Sequence, residues 1–400
     1  MTLLEQLPDD SKKVESEIAL QLSLGVAEVQ GIGPGSDEAL RTYTRAHELT
    51  QIEATPRQRF DALWGAHFVN MIRGNLKYSR DIGVELIPFA KALRDEEMIL
   101  ESHHAQWSTL LVLGELEETI EHTDFVLPRY DADKHHWLTF SYGGHDPGVC
   151  AHGVGGLAYW LMGYPVKGRS IIAGGLELAE QLSHPYTLVE SYMCAGFLDL
   201  AEGQVEGPKF RTARLLSLVG EGKLPRVLAD FTECIYGAAS IVAGDMEAGL
   251  EIMDRTIYSL DEFVIWGFPM VTTYALALSE SGRAEEALSH IDNALDSDSG
   301  GKENWWLAEF HRIRGEILIK LSTQNKLEAD GCFEQALKIA RAQKNRILEL
   351  RASMNIANSL NLAGETRKAR SLLAPVYKRF TEGHDTIDLL NARMLLESLQ

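Results

Sequence analysis

The stretch TYALALSESGRAEEALSHIDNAL, residues Thr273–Leu295, decides the fold. Gly282 is its turn residue, and counting on five, nine and twelve positions gives Ala287, Ile291 and Ala294. The same count from Gly364 gives Ala369, Leu373 and Val376; from Gly163 it gives Gly168, Ile172 and Gly175; from Gly244 it gives Gly249, Met253 and Thr256. The position five after the turn is small every time, and the next two continue one helical face at i+4 and i+7. Counting back seven from each glycine gives Ala275, Ala357, Gly156 and Gly237, again all small. Small residues on both sides of a glycine turn let two helices cross closely, which is the mark of a repeated helix hairpin.

This arrangement is the tetratricopeptide (TPR) pattern. Gly74, Gly114, Gly163, Gly203 and Gly244 are spaced by 40, 49, 40 and 41 residues. That period exceeds the roughly 34 residues of the standard repeat, so longer helices or loops are expected. Working outward, the pattern predicts nine helix pairs. First helices begin near Val14, Arg57, Glu96, Pro147, Pro185, Arg226, Val264, Glu303 and Asn345, and second helices near Ser36, Leu76, Leu116, Val166, Gly207, Met246, Ala284, Leu327 and Thr366. A last helix, Thr386–Leu399, carries Asp388, Asn391, Arg393 and Glu397 as the polar face of a terminal cap. The expected fold is an all-α, right-handed superhelical solenoid of about nine TPR-like hairpins with a C-terminal capping helix. It is one repeat domain over 1–400: repeats 1–3 in 1–131, an insertion loop at 132–146, repeats 4–9 in 147–384 and the cap in 385–400.

Composition narrows the function. A formal charge of −20 speaks against a nucleic-acid surface, which needs clustered Lys and Arg. Four scattered cysteines, Cys150, Cys194, Cys234 and Cys332, fit reduced thiols in a cytoplasmic protein. The first residues contain no apolar signal segment, and no apolar run approaches a membrane span of roughly 20 residues.

Chemistry-bearing side chains concentrate in WLTFSYGGHDPGVCAHGVGGLAYWLMGYP, Trp137–Pro165. Seven of the thirteen histidines lie between His103 and His152. Imidazoles beside Cys150 and Asp146 raise a metal site or an enzyme built on 135–152 as one reading. The spacing meets no recognised ligand pattern, so no metal and no cofactor are expected. Asp146 before Pro147 suits a helix cap with proline at the first helical position, or else His145 and Asp146 point into a groove. Cys150 reads as a small buried residue against a nucleophile, and Gly153, Gly155 and Gly156 as crossing positions against a phosphate loop. The adjacent Trp305 and Trp306 are expected on one helix, pointing about 100° apart, with one of them partly exposed. Insertions in repeat arrays map to one face, often the binding face, and first helices line the inside. Ligand or partner contacts are therefore expected on Trp137, Tyr142, His145, Asp146, His152 and Tyr159.

The runs YGGHDPGVCAHGVGGLAYWLMGYP, ELAEQLSHPYTLVESYMCA, WWLAEFHRIRGEILIKLS and LLAPVYKRFTEGHDTIDLLNARMLLESL resemble a known source. It is the C-terminal TPR-like repeat region of bacterial multidomain proteins, which join a class III adenylate/guanylate cyclase domain to an AAA-type (STAND-like) ATPase domain. The resemblance covers essentially the whole chain. The GxxxxGK[ST] phosphate loop is missing, and Gly31, Gly33 and Gly35 alternate around Pro34 with no preceding strand, so nucleotide chemistry does not carry over. What the resemblance implies is a regulatory, non-catalytic module. Its expected partner is a protein or peptide segment, with a small-molecule effector as the other ligand class, and no nucleic acid or membrane.

Overall fold

Why the chain folds as hairpins is visible at its turns. Gly74, Gly114, Gly163, Gly203, Gly244, Gly282 and Gly364 all hold a left-handed backbone, with φ between +71° and +92°. Only glycine reaches that region without strain. The structure, a computed structural model, describes residues 11–224, 226–257, 264–297 and 304–399, and all regular structure among them is helical.

The elements run α1 (Ser11–Gly31), α2 (Asp37–Thr50), α3 (Pro56–Ile72), α4 (Leu76–Leu93), α5 (Glu96–Leu113), α6 (Leu116–Val126) and the short α7 (Ala132–His135). After a 3-10 turn at His136–Phe140 come α8 (Pro147–Leu161), α9 (Pro165–Leu182), α10 (Pro185–Ala201), α11 (Glu206–Gly220), α12 (Arg226–Val242) and α13 (Met246–Thr256). The chain ends with α14 (Val264–Glu280), α15 (Ala284–Asp296), α16 (Leu307–Leu321), α17 (Lys326–Ala342), α18 (Arg346–Leu362), α19 (Thr366–Tyr377) and α20 (Ile387–Ser398). Apart from α7 and α20 these are nine antiparallel pairs in a right-handed TPR-like superhelix. The expected start at Glu303 lies outside the described residues.

Helix starts follow local chemistry. Thr55 and Gln58 form a reciprocal capping box ahead of Pro56. Asp146 caps α8 by accepting from the Val149 amide at 3.0 Å, with Pro147 in the first turn. The small positions set the pairing distance. A Cβ built on Gly168 would sit 2.6 Å from the Gly156 carbonyl oxygen, so α8 and α9 touch backbone to backbone.

First and second helices bury differently. The second helix α9 buries one stripe, Pro165, Gly168, Ile172, Gly175 and Ala179. Its partner α8 buries every residue except His152, as a helix apolar all round must. The cause is that the superhelix returns on itself. The Trp305 amide donates to the Val112 carbonyl at 2.9 Å, and the Lys167 amide donates to Glu382 at 3.0 Å. Lys344 pairs with Glu117, and Arg351 stands over the Trp160 ring at 5.9 Å. The last hairpins thus close against the third and fourth.

Two expectations need correction. Trp305 and Trp306 are both buried, at 0% and 5% exposure, because they lie in the turn before α16, where the returning coil covers them. Asp388 is not on the solvent face of α20: it is 8% exposed and accepts a two-pronged bond from Arg351 at 2.8 and 2.9 Å. Asn391, Arg393 and Glu397 do face solvent.

One buried group makes stability depend on pH. His67 is 1% exposed, and its Nδ1–H donates to the Ser79 carbonyl at 2.9 Å. Burial lowers its pKa from 6.5 to about 4. The unfolded chain binds this proton more readily than the folded one, so the contribution is full above pH 6.5 and is lost as pH falls toward 4. Urea titrations at pH 7.5 and pH 5 should show His67→Gln losing about 2 kcal/mol less than the parent chain over that interval.

Candidate functional site

The inner surface carries two neighbouring features, both built mainly from first helices and the turns that lead into them. One is an open groove of about 370 Å³. Phe197, Ile241, Leu276, Trp306 and Ile313 give it apolar walls, and its lining draws on α10, α12, α14, α16 and α18 in succession. Glu309, Arg312 and Arg351 form its polar side. Arg312 donates twice to Glu309 at 2.8 Å and once to Glu316 at 2.6 Å, while Arg351 reaches Glu309 at 3.2 Å. Burial alone would push the Glu309 carboxyl up, but the two guanidinium groups outweigh it and hold its pKa at about 2. The result is a fixed charged wall in an apolar trough, the usual composition of a recognition site.

The second feature lies where α5, α8 and α10 meet. His104 Nε2 and His145 Nε2 stand 3.1 Å apart, and Cys150 Sγ completes a buried trio whose donor atoms all lie within 4.8 Å of one another. Gly143 and Gly144, at φ +65° and +76°, make the tight turn that delivers His145. His145 Nδ1–H donates to the Gly143 carbonyl at 3.1 Å. His104 Nδ1 meets Glu101 Oε2 at 2.9 Å. Burial raises the Glu101 carboxyl well above its ordinary range, with Asp146 adding to it, and lowers His104 to about 3 and His145 to about 4. The pair is therefore neutral: the Glu101 acid donates to His104 Nδ1, and His104 Nε2–H donates to His145. Cys150 accepts from the Trp107 indole at 3.4 Å, and burial followed by the Glu190 charge raises its thiol well above 9. A small apolar cavity, walled by Phe68, Met193, Phe231 and Trp266, reaches His145, Cys150 and Glu190.

The six residues singled out from sequence do not form one cluster. Trp137 is 44% exposed and donates to Glu97 at 3.2 Å, beneath Arg57. Tyr142 is 1% exposed, with its hydroxyl on Asp61 and its ring against Trp64. Asp146 is fully buried, taking bonds from Tyr130 at 2.6 Å and His136 at 2.8 Å besides its cap. The hydrogen bonds of Tyr142 and Asp146 serve the turn and the helix cap. His152 was expected in the groove with Tyr159; instead it packs on Gly174 and Gly175 of α9, with Nδ1 on the Gly148 carbonyl at 2.8 Å. Tyr159 donates to Asp124 of α6 at 2.6 Å, and Lys167 of α9 lies over its ring. Both turn toward second helices because their own turns of α8 face that way. His145 alone of the six enters the inner cluster.

Sequence reasoning missed His104, Glu101 and Glu190 as partners of His145 and Cys150. A signal was present in the register. Asp61, Glu101, Cys150, Glu190 and Arg351 each precede a turn glycine (Gly74, Gly114, Gly163, Gly203 and Gly364) by thirteen residues. Before Gly244 and Gly282 the same position holds Phe231 and Pro269, so it marks an inner ladder of polar or thiol side chains that is broken at those two turns. All four cysteines are buried and unbridged, and no helix among the described residues is long and apolar enough to cross a membrane.

No protein-family model matches the chain. It is similar to an uncharacterized protein of Rhizobium meliloti (strain 1021), with 21% identity over 363 residues, covering 88% of this chain and 34% of that protein. The chain thus spans about one third of that relative's length. Among solved structures it is similar to a Rap protein complexed with competence and sporulation factor, at TM-score 0.55 and 12% identity, covering 96% of this chain and 99% of the other. It is also similar to a STAND protein with a tetratricopeptide repeat sensor from Pyrococcus horikoshii, at TM-score 0.38 and 13% identity, covering 91% and 55% of the two chains. Yeast Tom70 gives TM-score 0.42 and 12% identity, covering 98% and 89%.

Proposed function

We propose that this chain is a non-catalytic repeat scaffold that takes an extended protein segment in its inner groove, and that its occupancy regulates a nucleotide cyclase or a STAND-type ATPase. The observation that carries the reading is the 370 Å³ trough spanning five successive first helices, with apolar walls, Thr272, Thr273 and Glu280 along one edge, and the Glu309–Arg312–Arg351 wall. An extended segment suits it because the trough runs across helices and offers a charged group at one side for orientation. The Rap structure, whose partner is named with it, supports the same use of the same fold. The regulatory half rests on the sequence resemblance and on a chain that matches about one third of a longer relative. A small effector is the second class of occupant. Trp137, exposed beside Arg57, is the proposed outer contact.

The test pans a random peptide library on the immobilised chain and repeats it with Thr273→Trp, which fills the trough from a half-buried position. Enriched peptides should bind the parent and lose at least tenfold in affinity to the variant at unchanged melting temperature. Binding that ignores Thr273→Trp but fails in Trp137→Ala would move the site to the outer surface and overturn the groove. Turnover of a nucleotide cyclase or STAND-type ATPase, joined to this chain or combined with it as a separate protein, should respond to the same peptides, and no response in either arrangement would remove the regulatory claim.

A further inference from the structure

We propose that His104 Nε2, His145 Nε2 and Cys150 Sγ, with the Glu190 carboxylate as fourth donor, form a binding site for a divalent transition-metal cation of the zinc type. The donor set is chemically apt, since imidazole, thiolate and carboxylate are the side chains that hold zinc. Its geometry is close to what such an ion needs. Tetrahedral bonds of about 2.0 Å to nitrogen and 2.3 Å to sulfur require donors about 3.3 Å apart for the nitrogens and about 3.6 Å for nitrogen and sulfur. The two Nε2 atoms are 3.1 Å apart, and all three donors lie within 4.8 Å. Glu190 Oε1 stands 3.7 Å from Cys150 Sγ beside the small cavity that supplies an entry path, and lies outside the close-set trio, so its carboxylate must swing inward to serve as fourth donor.

The surroundings aim these donors. Each imidazole is held by its other nitrogen, His145 by the Gly143 carbonyl and His104 by Glu101, the outer support that metal-binding histidines use. A carbonyl can only accept, so His145 Nδ1 carries the proton and Nε2 presents its lone pair toward His104. Glu101 Oε1 is buried with no hydrogen-bond partner, an arrangement that becomes useful when the carboxylate faces a cation's ligand. Binding balances as follows. The Glu101 proton passes to His104 Nδ1, the His104 Nε2 proton leaves to solvent, and Cys150 S–H loses its proton as the sulfur–metal bond forms. Two protons are released, and the newly formed Cys150 thiolate and Glu101 carboxylate offset the two positive charges of the ion, so the net charge of the site is unchanged. The bound cation would tie the third, fourth and fifth hairpins together at their inner edge.

Cobalt(II) is the probe, because a tetrahedral cobalt thiolate has strong visible bands and a near-ultraviolet sulfur-to-metal charge-transfer band. The full chain, stripped with chelator and shown helical by circular dichroism, should bind one equivalent with both features, and zinc should displace it. Cys150→Ser should abolish the charge-transfer band, while Cys194→Ser, next along the same inner face, should leave it. His104→Gln should weaken binding at least 100-fold, and Glu101→Gln, a positioning residue, should weaken it by about 10- to 100-fold. Failure of the folded parent chain to bind one equivalent overturns the proposal whatever the variants do. So does cobalt binding that keeps its charge-transfer band in Cys150→Ser, or binding that lacks the band altogether.

Discussion

Gly168→Ala is expected to destabilise the protein by about 3 kcal/mol, although alanine is the better helix former. The new methyl would lie 2.6 Å from the Gly156 carbonyl oxygen and 2.9 Å from the Trp160 amide nitrogen. Both are backbone atoms of α8, so no side chain can swing aside and the two helices must move apart. That helix is buried on all sides by the returning coil, which leaves little room for the shift. Gly331→Ala supplies the contrast. It lies on an exposed part of α17 with nothing within 4 Å of the added carbon, so it should stabilise by about 0.5–1 kcal/mol. Urea midpoints of the two variants should therefore move in opposite directions. A stabilised Gly168→Ala would mean that the close crossing of α8 and α9 is not real.

Arg351→Met is the second change with a large expected effect, about 3–5 kcal/mol of destabilisation at pH 7. Arg351 ties α18 to α20 through Asp388 and to α16 through Glu309, and its own side chain is only 13% exposed. Removing it strands carboxylates rather than merely deleting a contact, and that is where the cost arises. The pH dependence has a definite sign. Glu309 titrates at about 2 in the fold against 4.5 when free, so its pairing stabilises fully above pH 4.5 and is lost as pH falls toward 2. The gap between Arg351→Met and the parent should therefore narrow between pH 7 and pH 4, as Glu309, left with Arg312 alone, takes up a proton more readily. Arg351→Met with Asp388→Leu should recover much of the loss, because a buried ion pair replaced by apolar groups is often near neutral. Chemical denaturation of the three chains at both pH values checks each part.

The hairpins themselves were legible in the sequence, and for a local reason. A turn glycine with positive φ, a small residue five later and another seven earlier involve residues close in sequence, whose packing repeats with the helical period. So were the α8 cap at Asp146 and the buried state of Cys150. The tertiary structure alone decided where the coil returns. Small rotations from hairpin to hairpin accumulate over nearly 200 residues before Trp305 meets Val112, and no short segment encodes their sum. That closure buries both Trp305 and Trp306, and the docking of α20 on α18 turns Asp388 inward onto Arg351. The inner cluster is hidden for the same reason: His104 reaches His145 across 41 residues because two first helices stack side by side. A periodic pattern reveals which residues share a face within one repeat; which side chains meet across repeats depends on the twist between them, and only the assembled superhelix sets that angle.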